Sequence, residues 1–182
     1  MPFADGSLAV HHGLLAGPPS AHRVRMTIAS HAEASGTLAA VRRWLLATLL
    51  VGTIGMEGEL LLIGHFEEWV QLTPVVLLAL GALALVWHAA APRAATVHAV
   101  RSVMALFVVS GAFGVVLHYR GNVEFELEMY PTMSGLELVE KTLTGATPVL
   151  APGSMALLGL VGLTQTLRHP ALAARGDSLA SH

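Results

Sequence analysis

Glu57 lies thirteen residues beyond Trp44 in a run that is otherwise apolar. In a helix that places it about 20 Å from the start of the run. A lone carboxylate in hydrocarbon costs at least a few kcal/mol, so it needs a proton, a cation or a polar partner (~3 kcal/mol on insertion scales). Leu61, His65 and Glu68 follow at four, eight and eleven residues, close to one helical face. A second apolar run ends at His118, at the same level. Glu57, His65, Glu68 and His118 are therefore the candidate metal ligands. Two imidazoles with carboxylates suit iron, zinc or manganese. The same groups also suit a proton relay or a hydrogen-bond network that fixes helix packing. Neither HExxH nor the paired ExxH of a bundle di-iron site is present. His88 and His98 mirror His65 and His118 at the other end, which is the ligand count of two haems. The cofactor stays unknown from sequence, with a transition metal ahead of haem.

The elements that would position these groups are four apolar blocks. They cover about residues 44–64, 72–88, 101–118 and 148–167. Each approaches the twenty or so residues that cross a hydrocarbon core. The expected fold class is an all-α integral membrane protein, a four-helix transmembrane bundle with both termini cytoplasmic. Residues 1–36 are rich in Ala, Gly, Ser, Pro and His and are expected to form a disordered tail. In it His11–His12 offers only a weak metal site. Residues 37–169 form the membrane domain, and 170–182 a flexible C-terminal tail. The outer segment, 119–147, contains VEFELEM, whose alternation suggests a strand or an extended cover. Ser134 and Glu137 then match a capping box, opening a short amphipathic helix in the loop between helices 3 and 4. The openings LTPVV and ATPVL hint at a repeat of two halves.

Composition narrows the classes. The chain has 182 residues, 54% hydrophobic and 12% charged, which disfavours an ordinary soluble enzyme. It has no cysteine, which removes thiolate chemistry and disulfides. The formal charge of -2 offers no basic surplus for nucleic acid. Arg42 and Arg43, Arg93 and Arg101, and Arg168 and Arg175 fall on one side of the four blocks. By the positive-inside rule that side is cytoplasmic. No P-loop, dinucleotide fingerprint or serine elbow appears. Small residues (Gly52, Gly55 and Gly58; Ser110, Gly111 and Gly114; Gly159 and Gly162) permit close helix approach inside the chain or between chains.

The leading functional reading is a non-catalytic subunit or assembly component of a homo-oligomeric or heteromeric complex in an inner or plasma membrane. Its partners would be the bilayer and other membrane subunits. One alternative is a metal-binding or redox protein using the Glu/His set. The other is a proton or cation carrier using Glu57.

Overall fold

A single helix, α1, runs from Ala21 to Leu62. The computed structural model describes residues 21–145 and 147–173. Residues 1–20 and 174–182, which hold most of the two expected tails together with His11, His12 and Arg175, lie outside the described residues. From Ala21 to Gly36 the backbone is helical, where a disordered tail was expected. Ser35 and Thr37 return their hydroxyls to the carbonyls of Ala32 and Glu33, which helical geometry permits. The chain divides into two compact units, Met1–Ala39 and Ala40–His182. The packing and the sites described below belong to the second.

The end of α1 is set by Gly64, whose φ is +68°. The His65 amide bonds to the Leu60 carbonyl and the Gly64 amide to that of Leu61. This is a Schellman stop, which needs a residue at ease in the left-handed region. Helix α2 then runs from Trp69 to Ala90, and Glu68 occupies its N-cap position in extended conformation. Helix α3 runs from Ala94 to Met129, 36 residues without a break. VEFELEM is therefore helical, not extended. Glu, Leu and Met are good helix formers, and Asn122 and Glu126, four apart, are the buried positions. Pro131 stands two residues past the end of α3, after its C-cap Tyr130, and cannot continue it. Helix α4, Gly135–Leu143, is the expected short helix, but the Ser134 side chain makes no capping bond.

Helix α5 covers only Gly153–Gln165. Between Pro148 and Met155 the backbone advances by three-residue turns, from Pro148 to Ala151 and from Leu150 to Gly153. Pro148 and Pro152 supply no amide, so helical bonding starts after the second proline. Thirteen residues span about 20 Å, less than a hydrocarbon core of about 30 Å. Three helices are long and apolar enough to cross a membrane: Ile28–Leu62, Trp69–Ala90 and Ala94–Met129. The protein is a multi-pass helical membrane protein with three such helices among the described residues. This corrects the expectation of a four-helix transmembrane bundle. The placement of both termini in the cytoplasm, read from the arginine positions across four spans, falls with the count of four.

Helix α3 is the centre, packing against α2, α4 and α5. It runs antiparallel to α5, and glycines set the distance between them. A methyl on Gly159 would stand 2.5 Å from the Met104 carbonyl oxygen, and one on Gly111 would stand 2.5 Å from the Ala156 amide. Gly162 faces the Met104 side chain as closely. Phe107 fills the notch that Gly81 leaves in α2. The core joins Leu49 of α1, Leu78 and Leu85 of α2, Val100, Met104 and Phe107 of α3, and Met155 of α5. On α1 the inward stripe is Leu46, Leu49, Leu50, Thr53, Met56 and Leu60, at helical spacing.

Candidate functional site

Glu57 falls on that inward stripe, one turn after Thr53. Thr53 is wholly buried, and its Oγ1 has no hydrogen-bond partner. Glu57 Oε2 is likewise shielded and unpartnered. The expected Glu57–His65–Glu68 stripe does not form, because Gly64 ends the helix between its members. Glu68 is exposed at the start of α2, where its charge favours the helix dipole. His65 and His118 do meet: their ring centroids are 6.4 Å apart, tilted by 53°. His118 Nδ1 lies 3.1 Å from the Pro148 carbonyl oxygen, so it donates there. Burial, and then the neighbouring His118, hold the His65 pKa below the usual imidazole range. Among the described residues no group of three or more His, Asp or Glu could hold a metal ion. Glu124 and Glu128, on the expected outer cover, are exposed on α3.

The opposite end gathers the arginines. Arg101 Nε donates to Thr166 Oγ1 at 3.2 Å, and its Nη2 to the Thr166 carbonyl at 2.8 Å. Arg42 Nη2 donates to the carbonyls of Leu167 and Arg168, at 3.0 and 3.1 Å. These carbonyls follow the end of α5, where helical partners run out and the dipole is negative. Arg168 itself adopts φ +46°, which turns the chain back.

Two imidazoles meet at this end, His88 from α2 and His169 from the segment after α5. His88, 2% exposed, stands edge-on to His169, with centroids 5.0 Å apart. The expected partner, His98, is exposed instead. Thr96 Oγ1 accepts the Arg93 amide at 3.1 Å. Its single proton points to the carbonyls of Ala91 and Arg93, at 3.0 and 2.9 Å. His88 Nδ1, 3.0 Å from the same oxygen, must then be the donor. That leaves Nε2 of His88 as the basic nitrogen. His169 is the reverse: its Nδ1 accepts the Ala171 amide at 3.3 Å, so in the neutral ring the proton sits on Nε2. Burial is the main cause that keeps the His169 pKa low, and His88, Arg42 and Arg101 add repulsion. Thr96, Thr166 and His169 had no motif to mark them. The faint signals were Thr96 eight residues after His88 and a polar TQTLRH string after an apolar helix.

Asn122 makes the third polar feature. It is 2% exposed, and its Nδ2 donates to the carbonyls of Thr142 and Thr147 at 2.9 and 2.7 Å. Its Oδ1 accepts the Thr147 amide at 3.2 Å and the Thr147 hydroxyl. One side chain thus ties α3 to α4 and to the segment before α5. The chain matches no protein-family model, no curated protein and no solved structure in these comparisons.

Proposed function

We propose that this chain is a non-catalytic subunit of a membrane complex, associating through the outward face of α1. The observation that carries this reading is Glu59. It is exposed one turn before the end of an apolar span, beside Gly55 and Gly58, which have nothing within 4 Å. Trp44, Val51 and Leu62 complete that face at helical spacing, and all are exposed. Lipid tails can cover the apolar members but cannot satisfy a carboxylate. A second helix offering a donor can, and the open glycines let its backbone come close.

The test is the size of the purified assembly in detergent and in nanodiscs. Gly55→Leu and Glu59→Leu are expected to reduce it to the single chain, whereas Glu57→Gln, on the inward face, leaves it intact. A wild-type chain that is monomeric in nanodiscs refutes the proposal.

A second reading has its own support in the unpartnered oxygens of Thr53 and Glu57, one turn apart inside the bundle. These would suit a proton or cation carrier centred on Glu57. Flux in proteoliposomes, lost in Glu57→Gln, is its expected sign.

A further inference from the structure

Beyond His118, α3 changes character. Residues 102–118 carry no Asp, Glu, Lys or Arg, whereas residues 119–129 carry Arg120, Glu124, Glu126 and Glu128. Seventeen uncharged residues cover about 25 Å, so the last three turns stand past the hydrocarbon at headgroup level. There α4 folds back against α3, held by Asn122, and encloses an open groove of about 500 Å³. That volume lies in the range of small-molecule sites.

The lining is of two kinds. Phe125, Tyr130 and Met133 provide apolar and aromatic surface, while Glu126, Glu137 and Lys141 provide charge. Glu126 decides the ligand chemistry. As a residue it is 9% exposed, it lines the groove, and its side chain forms no hydrogen bond or ion pair among the described residues. A carboxylate that opens onto the groove from an otherwise enclosed residue gives a cation a point of attachment there. Aromatic faces beside it favour an organic ammonium over a bare metal ion. Lys141 adds one positive charge at the same groove, which suits a phosphate.

We propose that the groove between the end of α3 and α4 binds a phospho-alkylammonium zwitterion of the phosphocholine type, with its ammonium at Glu126 and its phosphate at Lys141. Free phosphocholine esters and the headgroups of zwitterionic lipids share this chemistry.

The full chain in a maltoside detergent is titrated by calorimetry with phosphocholine and, separately, with choline. Phosphocholine is expected to bind, and Glu126→Gln to weaken it by about tenfold or more, the scale of a lost buried ionic contact. Lys141→Ala should weaken phosphocholine and leave choline unchanged. In nanodiscs, a preference for phosphatidylcholine over phosphatidylglycerol that Glu126→Gln abolishes assigns the ligand to lipid. Binding of soluble phosphocholine that bilayer phosphatidylcholine does not compete away assigns it to the free ester. Because Glu126→Gln could disturb packing, Glu137→Gln, at the exposed rim, serves as a second variant and should also weaken choline. No phosphocholine binding together with no lipid preference overturns the proposal, as does binding that neither glutamate variant alters.

Discussion

Asn122 shows how much one side chain can hold. Both hydrogens of its amide and its oxygen are used, across two connections. Asn122→Ala orphans the Thr147 amide and the Thr142 and Thr147 carbonyls. At about 1 kcal/mol per bond, plus the cost of the unsatisfied groups, the loss should be about 2–4 kcal/mol, read as a lowered unfolding midpoint in detergent. α4 should then become protease-sensitive before the spans do. His169 gives a prediction in pH. Its folded pKa lies below the unfolded value of about 6.5. The unfolded chain therefore binds the proton first, and stability falls as pH drops from about 6.5 through the folded value. His65 acts in the same direction. Thermal melts between about pH 7.5 and 5 should show this decline, and His169→Gln should flatten it. Of the residues singled out by type and spacing, His65 and His118 come together, and Glu57 faces inward. Glu68 does not join them, because periodicity was extended through Gly64. The pairing of His169 with His88 was not legible, because the two lie 81 positions apart in the chain. No local pattern encodes such a meeting.

The elements were legible where apolar runs lacked breakers. α2 and the apolar part of α3 emerge from composition alone. The misreadings sit at punctuation and at charge. Gly64 is a C-terminal stop hidden in an apolar stretch, and Pro148 and Pro152 delay α5 until it is too short to span. VEFELEM alternates like a strand, yet nothing before Pro131 interrupts the helix that enters it. The seam between α3 and α5 makes a prediction at this scale. At Gly159 any side chain meets the backbone of Met104 and Val108, which cannot swing aside. Gly159→Leu should destabilise the fold by about 1–3 kcal/mol or more, by overpacking. Gly55 faces open space, so Gly55→Leu should leave the melting midpoint of the single chain unchanged. The two glycines look alike in sequence and differ only in what stands opposite.

For the whole molecule, the membrane class was readable from hydrophobic content and block length. The number of spans was not, because it turned on whether one proline-flanked block kept helical bonding throughout. The polar groups separate by position. Arg42 and Arg101 lie at one end with the His88–His169 pair, His65 with His118 lies at the other, and the largely acidic overhang of α3 extends past them. Within one chain the outward face of α1 has no protein neighbour at Gly55 and Gly58. If that face is where subunits meet, the assembly variants and the groove variants should act independently: Glu59→Leu should change particle size without touching phosphocholine affinity, and Glu126→Gln the reverse.

The unbroken length of α3 carries one mechanical consequence. Its 36 residues make a rod of about 54 Å. Arg101 near its foot grips the end of α5, while Glu126 near its tip lines the groove. One continuous helix therefore joins the groove residues at one end to the Arg101–Thr166 contact at the other, so the two sites share a single rigid element.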